Sequence, residues 1–317
     1  MIRRTIAALF ATAAFAGAAL CSPAQALAAP PAPEPAASPS TRLFPDSRLV
    51  ERPRFSDEIV GQGPDLIFMP GLASSRATFT ATAERLKGRY RLHLIQIAGF
   101  AGEPARANAS GEVLVQTAEA LDAYIAEQHL APAVVIGHSL GATSALYLIE
   151  HHPEHYRKVL LVDCLPFFGV LIGGANATPD SIRPIAEKIH ATMSADTPAA
   201  HDASEQQIRP MVTGKAGQET VIAWGRASDR PVVGEAMMDD MTLDLRPGLA
   251  AVRTPVTVFY PDNVSVGAPK GAMDSYYGSA FAPLTTKTLV RFDDSRHFIM
   301  FDQPERFAAE LDRFLAQ

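Results

Sequence analysis

Short apolar runs alternate with longer stretches of helical spacing along most of this chain. Residues 66–69, 93–97, 133–136, 159–162, 256–260 and 289–292 are mostly apolar runs of four or five residues. They are too short for helices and rich in branched or aromatic side chains, so each predicts a buried strand. Between two of them Leu114, Ala118, Leu121 and Ile125 recur at spacings of three and four, one face of a helix. Near the C-terminus Phe307, Leu311, Phe314 and Leu315 repeat the pattern, with Arg306, Glu310, Asp312 and Arg313 opposite. Strand and helix in alternation predict an α/β fold, a mostly parallel sheet with helices on both faces. Two further candidate strands, near 48–53 and 55–60, precede the alternation.

The interval 165–254 interrupts this order, being long, mixed in character and without an obvious buried strand. It predicts a mostly helical insertion. An insertion leaving the carboxyl end of a strand lies where open α/β sheets bind ligands, so it is expected to cap a site. Residues 29–42 are rich in proline and alanine and show no apolar period, which predicts a spacer. Before it, Arg3 and Arg4, an apolar run over 6–20 and small residues at Ala24, Ala26 and Ala28 have the layout of a secretory signal over residues 1–28. The expected organisation is therefore signal, spacer and one enzyme-sized domain over 43–317, exported to the periplasm or secreted. The apolar run falls short of the roughly 20 residues that span a bilayer, so no stable membrane span is expected in the mature form.

Composition narrows the chemistry. At 317 residues and 47% hydrophobic the chain can bury a large core. Its formal charge of -6 offers no broad basic surface, which argues against nucleic acid as a partner. Removing residues 1–28 takes away two arginines and no acid, moving the charge to -8 and leaving Cys164 as the one cysteine. An intrachain disulfide is then excluded, and stability must come from the core.

The run at 133–136 leads into Gly137-His138-Ser139-Leu140-Gly141 and then a helix-forming stretch from Ala142. A serine on a sharp strand-to-helix turn is held in a strained backbone conformation, with other chain segments so close that only small residues fit two positions either side. The turn aims the Leu140 N–H and the positive end of the helix at the place where an oxyanion forms. Ser139 is thus the candidate nucleophile.

With this turn in place the chain resembles the α/β-hydrolase superfamily, in its serine esterase and lipase-like branch, over about residues 45–317. The resemblance implies a Ser-acid-His triad and an acyl-enzyme, with no metal and no organic cofactor. It implies a second oxyanion donor in the turn Met69-Pro70-Gly71-Leu72, where Leu72 N–H is the candidate. It also implies a late histidine after the last strand, and His297 in Asp294-Ser295-Arg296-His297-Phe298 stands there. Two acids compete to orient it: Asp262, after the strand at 256–260, and Asp163, after the strand at 159–162. Asp262 is the first choice because most relatives supply the acid from that position; Asp163 is the alternative.

Three other histidines, His151, His152 and His155, cluster where Pro153 ends the helix that follows Ser139. They are read as decorating a solvated helix end, where positive charge is favoured, and not as metal ligands. The apolar cap residues, among them Phe167, Phe168, Met193, Met237 and Met241, suit a small-molecule ester or lactone with an apolar portion. The expected function is hydrolysis of such a bond. An acyltransferase on the same fold, or a binding protein that has lost turnover, are the rival readings.

Overall fold

The computed structural model describes residues 42–262 and 270–317. The signal at 1–28 and residues 29–41 of the spacer lie outside the described residues. Eight strands form one sheet: β1 (Arg48–Glu51), β2 (Phe55–Gly61), β3 (Asp65–Met69), β4 (Arg91–Ile97), β5 (Ala133–His138), β6 (Tyr156–Val162), β7 (Val256–Asp262) and β8 (Lys287–Asp293). Their order is β1-β2-β4-β3-β5-β6-β7-β8. The β1–β2 and β2–β4 pairs are antiparallel, and every other pair is parallel. All six apolar runs lie in strands. β1 ends at Glu51, short of residue 53, because the chain turns there: Arg52 N donates to Phe55 O at 2.8 Å.

The helices are α1 (Thr80–Leu86), α2 (Leu114–Glu127), α3 (Leu140–His151), α4 (Val170–Gly173), α5 (Pro179–Ser194), α6 (Pro198–Ile208), α7 (Lys215–Ala227), α8 (Arg230–Thr242), α9 (Ala272–Ala280), α10 (Ile299–Asp302) and α11 (Pro304–Ala316). They divide between the two faces of the sheet. Val135, Val159 and Leu161 point into a core with Ala118, Leu121 and Ile125 of α2 and Ala145 and Leu146 of α3. Val134, Ile136, Leu160 and Val162 point the other way, onto Leu86 of α1 and Phe307, Leu311 and Phe314 of α11. Successive strand residues face opposite sides of a sheet, so a strand buried on both faces must be apolar at every position. That requirement produces the unbroken runs seen in the sequence.

Between β6 and β7 the chain forms the helices α4 to α8 and no strand. α5 starts with a reciprocal cap, in which Thr178 Oγ1 accepts from Ser181 N and Ser181 Oγ accepts from Thr178 N. α8 starts with the Asp229 side chain accepting from Val232 N at 3.0 Å. The insertion has its own small core of Phe167, Ala177, Ile182, Ala186 and Met241. It is also latched to the sheet. Val232, Val233 and Ala236 of α8 pack with Ile97, Phe100, Leu114 and Leu140. Asp239 Oδ2 accepts from Val113 N at 2.6 Å and Leu114 N at 2.9 Å, so a cap residue closes the start of α2. Among the described residues no helix is long and apolar enough to cross a membrane.

Candidate active site

Ser139 occupies the turn between β5 and α3 with φ 53° and ψ −123°. This is a conformation that L-residues adopt only when the surroundings over-determine it. The surroundings do so here: Ser139 N donates to Val162 O at 2.9 Å, and Ser139 O accepts from Ala142 N at 2.7 Å and Thr143 N at 3.0 Å. Crowding enforces glycine at two neighbouring points. A Cβ on Gly141 would stand 2.4 Å from Met69 O, and one on Gly71 would stand 2.9 Å from Ser139 Cβ. The turn after β3 therefore lies directly against the serine. Ser139 is the N-cap of α3, yet its side chain makes no capping hydrogen bond. Its hydroxyl is not occupied by the helix it begins.

Leu140 opens α3, so its N–H belongs to the first-turn group that has no acceptor within the helix. Leu72 follows Gly71, and its side chain packs on the cluster that buries Leu140. Ala73 next to it has φ 51°, which turns the loop sharply at this point.

The histidine pairing differs from the first choice made from the sequence. His297 Nδ1 lies 2.6 Å from Asp163 Oδ2. Asp163 follows β6, has φ 50°, and is anchored by donation from its N–H to Phe259 O at 2.8 Å. The expectation that Asp262 orients His297 is corrected. Asp262 belongs to β7, whose ladder runs on to pair Asp262 with Asp293, and its buried Oδ2 accepts from Gly271 N at 2.7 Å with Arg291 Nε at 4.0 Å. Held in the ladder with Asp293, the Asp262 carboxylate serves the ends of β7 and β8 and not His297. Asp293 binds Arg291 at 2.7 Å and Asp294 N donates to Asp262 O at 3.0 Å, which makes this stretch a local network of the β7 and β8 ends.

A carboxylate only accepts, so the Nδ1–H of His297 is the donor, and in the neutral ring the lone pair lies on Nε2. Asp163 is itself held by a second partner, the hydroxyl of Tyr277, which donates to Oδ1. Tyr277 is buried and stacked on Tyr260 at 4.6 Å. Burial, together with the Asp163 charge, pushes its phenol well above the ordinary range, so it stays a donor. His138 lies beneath, fully buried, with its ring 4.6 Å from those of His297 and Phe298. Its Nε2 lies 3.0 Å from the His297 carbonyl oxygen. A carbonyl accepts, so Nε2 carries the proton and the buried Nδ1 is left without a partner. Burial and the neighbouring His297 hold His138 well below the usual histidine range, and it is neutral. It positions the His297 backbone from within the core.

Two contributors were not legible in the sequence. Tyr277 sits in no chemical motif and reaches Asp163 only through the packing of α9. Asp240 of α8 is buried, and its Oδ1 has no partner. It hydrogen-bonds Thr143 in the first turn of α3 and feels the charge of His297; burial raises it to about 6.

Comparison with known proteins agrees with this architecture. The model of the alpha/beta hydrolase family matches residues 66–310. The chain is 23% identical over 262 residues to the pimeloyl-[acyl-carrier protein] methyl ester esterase of Vibrio cholerae serotype O1, covering 81% of this chain and 96% of that protein. A shorter stretch of 117 residues is 36% identical to the esterase of the same name from Aeromonas hydrophila, covering 36% of this chain and 42% of that one. Among solved structures, a hydrolase from Pseudomonas aeruginosa PA01 superposes with a TM-score of 0.69 at 16% identity, over 86% of this chain and 99% of that one.

Proposed function

The chain belongs to the alpha/beta hydrolase family and is a serine-dependent hydrolase; from that premise we propose that it cleaves a carboxylic ester or lactone through Ser139, His297 and Asp163. The observation that carries the reading is the 2.6 Å contact of His297 Nδ1 with Asp163, in a chain whose turn serine, next to the His138 that packs on His297, keeps its hydroxyl uncommitted by its helix. In the first half of the reaction Ser139 Oγ attacks the carbonyl carbon while His297 Nε2 takes the hydroxyl proton. Asp163 stabilises the imidazolium that results and fixes its tautomer. The N–H groups of Leu72 and Leu140 receive the oxyanion, and the α3 dipole adds to their effect. His297 then returns the proton to the departing alcohol. Water, activated by the same histidine, releases the acid from Ser139.

The relatives' activity on a methyl ester supports the ester class. The apolar residues of α5 and α8, including Met193 and Met237, would line an acyl portion to which methionine adapts. Export by way of the signal at 1–28 is part of the same proposal, supported by the arginine pair, apolar run and small residues there. Mass spectrometry of the exported protein should find its N-terminus after residue 26 or 28; an intact Met1 would refute this.

The decisive experiment is a panel of esters and lactones graded by acyl length, read by initial rate on wild type and Ser139→Ala. Wild type should hydrolyse short or medium aryl esters in the presence of a chelator, and a fluorophosphonate should label it at Ser139. Full activity in a folded Ser139→Ala variant would overturn the mechanism.

A further inference from the structure

We propose that Asp122, His152 and His155 form a binding site for one divalent transition-metal ion of zinc-like preference, at the end of the sheet opposite the catalytic serine. Asp122 stands on α2; His152 follows the last residue of α3 as its C-cap; His155 closes the 3-10 turn Pro153–His155 that leads into β6. One ligand atom from each of the three lies within 4.8 Å of the other two. His155 Nδ1 is 2.9 Å from Asp122 Oδ1, and His152 Nδ1 is 3.7 Å from Asp122 Oδ2. The two imidazoles are nearly parallel, at 8° and 6.0 Å between centroids, and present the same nitrogen to the same carboxylate.

His155 hydrogen-bonds Asp122 at 2.9 Å, while His152 faces the same carboxylate across a gap that a hydrogen bond does not close. At metal–ligand bonds of about 2.0–2.1 Å a tetrahedral ion holds its ligand atoms roughly 3.4 Å apart. The 3.7 Å separation at His152 is too long for a hydrogen bond and close to that value. The surroundings supply the outer partners that metal-binding histidines use. His152 Nε2 lies 3.1 Å from Glu119 Oε2, an arrangement that fixes its tautomer with Nδ1 bare and pointing at Asp122. Glu119 is held in turn by the Tyr147 hydroxyl at 2.7 Å, and the Tyr156 hydroxyl donates to Asp122 Oδ1 at 2.7 Å. Asp122 is buried while both histidines are partly exposed, so an ion can reach the site and water can take the fourth position. Two imidazoles and one carboxylate favour zinc, nickel or copper over magnesium or calcium, which prefer oxygen alone.

An ion there would pin α2, the end of α3 and the start of β6 together. β6 separates this site from Asp163 by about 20 Å of strand, so the ion takes no part in the ester chemistry. The test is isothermal titration of the untagged protein with zinc chloride, beside His152→Ala, His155→Ala and, as a control, His201→Ala, a histidine paired with Asp196 elsewhere. Wild type and the control should bind one zinc with equal affinity and gain thermal stability from it. Each of the other two variants, folded by circular dichroism, should bind at least tenfold more weakly while hydrolysing ester at the wild-type rate. Zinc binding in the wild type weaker than millimolar, or binding that survives both substitutions, overturns the proposal.

Discussion

Asp163 takes its place because its backbone adopts φ 50° immediately after β6, which turns the carboxylate off the strand line and up to His297. Asp262, still in ladder with β8, has no such freedom. Asp163→Asn should therefore lower kcat by about 10³- to 10⁴-fold with the fold intact, since an amide leaves the imidazole in the wrong tautomer and the imidazolium unsupported. Asp262→Asn should leave kcat near wild type and cost at most about 1.5–3 kcal/mol of stability, the value of a hydrogen bond to a charged group. Kinetics on both variants, with unfolding curves, decide the matter; collapse of Asp262→Asn alone would reverse the assignment. The serine and histidine were legible in the sequence because a strand, a tight turn and a chain-order rule locate them. The acid was not, because two strand ends offer a carboxylate and only backbone dihedrals distinguish them. Asp240 belongs to the same scale. Burial pushes its carboxyl up from the ordinary 3.8 to about 6. The native state therefore binds the extra proton, and the contribution to stability is greatest below pH 4 and is lost as pH rises through 6. Asp240→Asn should stabilise the protein above pH 6 by roughly 1–3 kcal/mol and flatten its stability between pH 4 and 6. Urea unfolding at pH 4, 6 and 8 measures this; an equal loss at every pH would contradict it.

Elements were readable wherever burial on both faces forced an unbroken apolar run, as at β5 and β6. They were less readable in the cap, where each helix presents one face to a neighbour and the pattern alone does not identify the neighbour. α5 and α8 pack on each other, and Asp239 reaches from α8 to the start of α2, neither of which a linear pattern encodes. The junction of β5 and α3 shows how closely elements can constrain chemistry. A Cβ on Gly137 would lie 2.4 Å from Gly141 O and 2.6 Å from Ala142 Cα, all backbone of the first turn of α3. Neither atom can yield without moving Ser139. Gly137→Ala should then destabilise the protein by about 1–3 kcal/mol, the usual cost of overpacking, and abolish labelling by a fluorophosphonate. Normal labelling in the folded variant would mean that the turn is less constrained than these distances require.

Across the whole molecule, the antiparallel edge and the oxyanion turn are tied by one buried ionic network. Glu58 of β2 is fully buried, and its Oε1 accepts from Phe44 N at 2.8 Å and Ser47 Oγ at 2.6 Å. The Arg76 guanidinium, 2% exposed, stands 3.6 Å from Glu58 Oε2 and also bonds Ser56. Arg76 N donates to Gln96 Oε1 at 2.8 Å, and Gln96 Nε2 donates to Ser74 O at 3.2 Å. The loop that begins with Leu72 is thus fixed to β2 by the buried Arg76–Glu58 pair and to β4 by the hydrogen bonds of Gln96. Two buried charges of opposite sign give little net stability over an apolar pair, but one left alone is costly. Arg76→Met should cost about 3–5 kcal/mol because it strands Glu58 without a counter-charge. Adding Glu58→Gln should recover part of that loss, since the amide oxygen still accepts from Phe44 and Ser47 while the uncompensated charge is gone. Denaturant unfolding of the two single variants and the double variant forms the cycle that isolates the pair. Strict additivity of the two single losses would show that Arg76 holds the loop by packing alone, whereas recovery in the double variant identifies charge as the tie between the edge of the sheet and its catalytic turn.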